Sequence, residues 1–133
     1  MPNTMIIRGN SNECPRFGCV EFAPGLSLLF DAVIDTHFSQ CGRHGRLLSA
    51  VAHYPQELGI GLDEKTGIIV RGNEFKVVGE GSVTVMDGSY MKHNNLPYVK
   101  KEKPIGLFDV KIHALPSGYK YDLKNREPIS PHA

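Results

Sequence analysis

Apolar residues come in different textures along this chain, and each texture predicts a different element. From Gly25 to Asp35 the run "GLSLLFDAVID" is apolar on successive rather than alternate positions, the pattern of a strand covered on both faces in a parallel sheet. Its polar end, Asp35 to His37, is then a strand's C-terminal edge. Upstream, "TMIIRG" predicts a short strand, and the polar stretch from Asn10 to about Pro15 a loop. Downstream, "GRHGRLLSAVAHYP" sets Leu47, Leu48 and Val51 on one helical face, and Pro55 ends the helix. Strand, polar turn and helix in that order form the βα arrangement whose C-terminal strand edge hosts ligands in open α/β sheets.

After the helix, short apolar runs alternate with turn signals at Asp63 to Gly67, Gly72 to Asn73 and Gly79 to Gly81, which predicts four strands, mostly antiparallel. The segment from Tyr90 to Pro104 carries clustered charge and two prolines and predicts a mobile loop or lid. A last strand is expected from Gly106 to Leu115, then a polar tail. No internal repeat is visible, and the basic run Lys100 to Lys103 reads as solvated surface.

Composition narrows the functional classes. At 133 residues the chain fits one domain with a modest core, burying about two-thirds of its unfolded surface. A charged fraction of 22% and a net charge of +1 announce neither nucleic acid nor an anionic membrane as partner, so any anion site must be local. No apolar run approaches the roughly 20 residues of a spanning helix, and the N-terminus lacks the apolar core of a signal peptide. Three cysteines, Cys14, Cys19 and Cys41, without CxxC spacing argue against a disulfide framework and point to a reducing compartment, with cytoplasm as the expectation. They also give little support to zinc, on which Cys14, Cys19, Cys41, His37 and His44 could converge only in principle. No metal or other cofactor is expected. Cys41 as a nucleophile activated by neighbouring arginines is chemically allowed but disfavoured.

The candidate chemistry starts at His37, which follows the edge of a buried strand and suits a general base; alternatively it is a histidine bonded to backbone at the core's rim. A base needs a carboxylate to fix its tautomer, and "GLDEKTG" offers Asp63 and Glu64 at the end of the next strand, where plain turn chemistry is the competing reading. Arg43 and Arg46 stand three apart on one helix face in the first turn, where the macrodipole is positive. Each sits against the dipole at a cost of about 0.3 to 1 kcal/mol, which suggests a clamped anion or else a solvated pair. Gln40 just before them offers amide hydrogen bonds or is a polar loop residue.

The runs "VIDTHFSQCGRHGRLLSAVA" and "LGIGLDEKTGIIV", together with "MPNTMIIRGN" and "FKVVGEGSVTVMDGS", resemble the cyanophycinase family of serine peptidases in the peptidase E superfamily. The likeness is strong from Met1 to Ser89 and looser beyond. It implies a class I glutamine amidotransferase-like (flavodoxin-like) α/β sandwich, of which this chain would be a C-terminal part, one partial domain over 1–133 with a strand-rich second half. It also implies a Ser, His, Glu triad in that chain order, with His37 as base and Glu64 as the carboxylate. Arg43, Arg46 and Gln40 match the substrate pocket, with Asp35 and Thr36 in the same motif. The implied reaction is exopeptidase hydrolysis of cyanophycin, an aspartate backbone bearing arginine on its side chains, to β-Asp-Arg dipeptides. The implied partner is thus an arginine- and aspartate-containing polymer or dipeptide, with no nucleic acid and no membrane, and with room for a homodimer.

Three departures from the family pattern qualify that expectation. Thr36 stands where the family has Gln, and Cys41 where it has another Arg, so the pocket is altered more than the triad. No Gly-x-Ser-x-Gly elbow occurs in the 133 residues; Ser27 in "GLSLL" lies inside an apolar run and reads as a core-edge serine. The nucleophile is therefore expected upstream of Met1, leaving this chain alone inactive, with sheet edges open around "TMIIRG" where flanking strands are lacking. The alternatives are an inactive truncated or degenerate homologue that retains binding alone, or a related peptidase acting on Asp-containing dipeptides.

Overall fold

The computed structural model describes residues 2–9, 20–24, 29–36, 44–95 and 103–132. In chain order the elements are β1 (Pro2–Gly9), β2 (Val20–Pro24), β3 (Leu29–Thr36), α1 (His44–His53), β4 (Leu58–Leu62), β5 (Thr66–Arg71), β6 (Glu74–Gly79) and β7 (Ser82–Asp87). They are followed by β8 (His93–Asn94), β9 (Leu107–Phe108), β10 (Lys111–Pro116), β11 (Lys120–Asp122) and β12 (Glu127–Ile129).

The main sheet has six strands in the order β10, β7, β4, β3, β1, β2. The apolar run that predicted a buried strand forms β3, which lies between β1 and β4 and is parallel to both. Around this parallel centre the pairings β1–β2, β4–β7 and β7–β10 are antiparallel. A second sheet of four antiparallel strands, ordered β12, β11, β6, β5, covers one face of the first, and α1 covers the other.

Alternation along the strands builds both halves of the core. Ala32, Leu58, Ile60, Val83 and Val85 of the main sheet meet Phe75, Val77 and Tyr121 of the second sheet, with the Phe75 and Tyr121 rings stacked at 5.6 Å. On the opposite face Leu47 and Val51 of α1 pack on Met86. Complete burial of such side chains contributes about 1.5–3 kcal/mol each. Gly59 permits the helix to lie that close, because a Cβ there would stand 3.0 Å from a Val51 methyl and 3.2 Å from Leu47.

The second sheet is pinned at the lower end of β7. Asp87, fully buried, accepts hydrogen bonds from the Ser89 backbone N–H and hydroxyl at 2.9 and 2.6 Å. Arg126, from the β11–β12 turn, reaches the same carboxylate at 3.3 Å and donates to the Gln56 carbonyl at 2.7 Å. Asp122 closes that turn by accepting from the Lys124 and Asn125 backbones and the Asn125 side chain, and these bonds, the Asn125 backbone first, hold its carboxyl below the usual carboxylate range.

Several expectations from the sequence need correction. The four strands between Leu58 and Asp87 exist, but β4 and β7 belong to the main sheet while β5 and β6 belong to the other. What read as a polar tail supplies β11 and β12, because Tyr121 and partly buried Tyr119 and Leu123 give it enough apolar surface to close the inter-sheet core. The last strand is interrupted at Asp109, whose φ of 64° divides β9 from β10. Within the expected loop, β8 pairs with β9, and Asn94 donates to the Ala52 carbonyl at 2.8 Å. Finally, β1 is not left with open sides: β2, which the sequence reading passed over, pairs with it on one side and β3 on the other.

Candidate active site

Parallel pairing of β3 with β4 sets Thr36 opposite Leu62 at the C-terminal edge of both strands. Neighbouring strands lie about 4.8 Å apart. The residue covalently next to Thr36 is His37, and the two next to Leu62 are Asp63 and Glu64. Thr36 itself is exposed at this edge, and so is Glu64. His37, Gln40, Arg43 and Cys41 lie outside the described residues.

Below the edge, Arg46 donates from Nη2 to Asp35 Oδ1 at 2.9 Å. Asp35 is 3% exposed and Arg46 8%. This pair accounts for the unusual placement of a cation in the first turn of α1, which carries no acidic residue there. The carboxylate that satisfies it comes from β3, eleven residues earlier, rather than from the helix itself. A buried pair of this kind joins the strand's edge to the helix start.

Glu64 sits on a turn that backs onto a second turn. Asp63 Oδ2 accepts from the Ser82 backbone at 3.0 Å and from its hydroxyl at 3.2 Å. Thr66 Oγ1 donates to the Glu64 carbonyl at 3.0 Å and accepts from the Gly81 N–H at 2.9 Å. Between them Lys65 takes a left-handed φ of 54°, costly for a side chain of its kind, and its carbonyl accepts from the Glu80 N–H at 3.0 Å. The glycines of the opposing turn are dictated by this contact: a Cβ on Gly79, itself at φ 115°, would lie 2.2 Å from the Lys65 carbonyl oxygen, and one on Gly81 2.7 Å from both Asp63 Cβ and Thr66 Oγ1.

The structure thus brings Asp35, Thr36, Arg46 and Glu64 to one end of β3, β4 and α1. Thr66, Ser82 and Gly81, which hold that end together, are not among the site residues the sequence offers; their local signal is the turn chemistry of "DEKTG" and "GEGS". Among the described residues no group of three or more His, Cys, Asp or Glu side chains could hold a metal ion. No described helix is long and apolar enough to cross a membrane.

No protein-family model matches the chain. Individual curated proteins do match. A cyanophycinase from Geminocystis herdmanii is 37% identical over 131 residues, 98% of this chain and 48% of that protein. One from Trichormus variabilis is 39% identical over 127 residues, 95% of this chain and 43% of that protein. One from Synechococcus elongatus is 35% identical over 124 residues, 92% and 38% respectively. The chain spans less than half the length of these relatives.

Proposed function

We propose that this chain is the base-bearing, C-terminal portion of a cyanophycinase-like serine exopeptidase, with His37 and Glu64 as two members of its triad. The observation that supports this reading is the parallel register of β3 and β4, in which Thr36, the residue before His37, faces Leu62, two residues before Glu64, so both chain segments leave the same sheet edge. Similarity to cyanophycinases at 35–39% identity over nearly the whole chain supports the substrate class, a polymer of aspartate and arginine. The βα sequence around the parallel centre suits a class I glutamine amidotransferase-like fold, and the reducing compartment inferred from its cysteines makes the cytoplasm its location.

In this mechanism a serine on an elbow outside residues 1–133 attacks the scissile carbonyl and passes its proton to His37. Glu64 holds the imidazole in the required tautomer and offsets the charge that forms. His37 then returns the proton to the leaving amine, and water repeats the cycle on the acyl-enzyme. Gln40 and Arg43 line the substrate pocket with Thr36. Arg46, through Asp35, holds the first turn of α1 in register with the strand edge, and Asp35 is thereby a pocket residue by position. The changes at Thr36 and Cys41 alter the pocket, so a related preference for short Asp-containing peptides falls under the same mechanism.

The test supplies the chain with the serine-bearing portion of a cyanophycinase and measures dipeptide release from cyanophycin. Release that falls at least about 10³-fold in His37→Ala and Glu64→Ala supports the assignment. Release indifferent to both substitutions overturns it. Binding of polymer without release in any combination favours the binding-only homologue. Labelling of the 133-residue chain by a fluorophosphonate would refute an external nucleophile.

A further inference from the structure

We infer that Thr66 is the positioning residue for Glu64, acting through a two-way hydrogen bond that ties the glutamate's turn to the β6–β7 turn. This rests on the reading of Glu64 as the carboxylate partner of His37. The Glu64 side chain is exposed. The direction in which it leaves the chain is set by its backbone, and that backbone is anchored on both sides. Before it, Asp63 holds Ser82 through two bonds to one carboxylate oxygen. After it, the Thr66 hydroxyl spends its single proton on the Glu64 carbonyl at 3.0 Å and a lone pair on the Gly81 N–H at 2.9 Å.

The Thr66 bond is the one that touches Glu64's own peptide. It opposes relaxation of Lys65 out of its left-handed φ of 54°, a relaxation that would swing the preceding carbonyl and with it the Glu64 Cα–Cβ direction. The absence of a Cβ at Gly81, where it would lie 2.7 Å from Thr66 Oγ1, is what admits the hydroxyl between the turns. A threonine that merely closed a hairpin would bond within its own turn; this one bonds across to a residue fifteen positions away.

The experiment follows the His37 imidazole by NMR titration in the full chain, a readout that needs no nucleophile. A carboxylate partner raises a histidine above its ordinary value of about 6.5. Glu64→Gln should lower the His37 midpoint by on the order of one pH unit. Thr66→Val, close in shape but without the hydroxyl, should lower it by at least about half as much, and Thr66→Ser should restore the wild-type midpoint. If Glu64→Gln shifts the midpoint and Thr66→Val does not, the positioning role is overturned while the His37–Glu64 pair stands. If Glu64→Gln leaves it unmoved, the pair itself fails and the positioning role with it. Should Thr66→Val not fold, Thr66→Cys, which keeps the volume and weakens both bonds, carries the same comparison.

Discussion

Replacing Arg46 by Met strips a buried carboxylate of its cation. Arg46 and Asp35 are separated by 2.9 Å, 8% and 3% exposed respectively. At that distance and an effective dielectric of about 20, their attraction is about 6 kcal/mol. Withdrawing each ion from water costs several kcal/mol, so the intact pair roughly breaks even. The single substitution does not: it leaves Asp35 charged and buried, at a cost of about 3–5 kcal/mol. Against a total stability of about 5–15 kcal/mol for a domain, that is a large fraction. Urea unfolding followed by circular dichroism measures it, with the wild-type slope as the check that the transition is the same one. The double variant Asp35→Leu/Arg46→Met removes both charges and should recover at least about 1.5 kcal/mol of the summed single losses. A loss below about 1 kcal/mol for Arg46→Met, or strict additivity in the double variant, would refute the claim that this pair joins β3 to α1.

Three further outcomes are expected. Gly59→Ala should destabilise by about 1–3 kcal/mol in the same unfolding assay, because its Cβ would press on Val51 and Leu47 under the helix. Arg126→Ala should cost about 1–3 kcal/mol and raise amide exchange in β11 and β12 selectively, since Arg126 binds both buried Asp87 and the Gln56 carbonyl. Burial, followed by the charge of Asp87, pushes the Tyr121 phenol well above its ordinary value. The folded state therefore holds the neutral phenol, stability is fully present below about pH 10 and declines as the unfolded phenol ionises above it. Tyr121→Phe keeps the ring on Phe75 and should abolish that alkaline decline in a pH series of melting temperatures.

Much of the architecture was legible locally. Successive apolar residues in "SLLFDAVID" could only be satisfied by cover on both faces, and β3 is indeed between two parallel strands with α1 on one side and the second sheet on the other. The helix followed from the spacing of Leu47, Leu48 and Val51, and each turn between Leu62 and Ser82 fell on its Gly, Asn or Asp signal. The short amphipathic strands were harder. β2 is five residues ending in Pro24, and β11 and β12 have only three residues each, too few for periodicity to rise above chance.

For the candidate site the sequence by itself determined the chemical inventory and its order along the chain: a histidine after one strand, a glutamate after the next, arginines at a helix start. These follow from side-chain chemistry and from covalent neighbours, which sequence contains in full. Only the tertiary structure decided which of those groups are committed to one another. Asp35 and Arg46 are eleven residues apart, and nothing local distinguishes a cation awaiting a ligand from one already neutralised inside the protein. Likewise "EKT" and "GEGS" each read as an ordinary turn. That Thr66 reaches Gly81 depends on β4 pairing with β7 while β5 pairs with β6, a division between two sheets that burial of apolar surface on both faces imposes and that no stretch of either turn encodes.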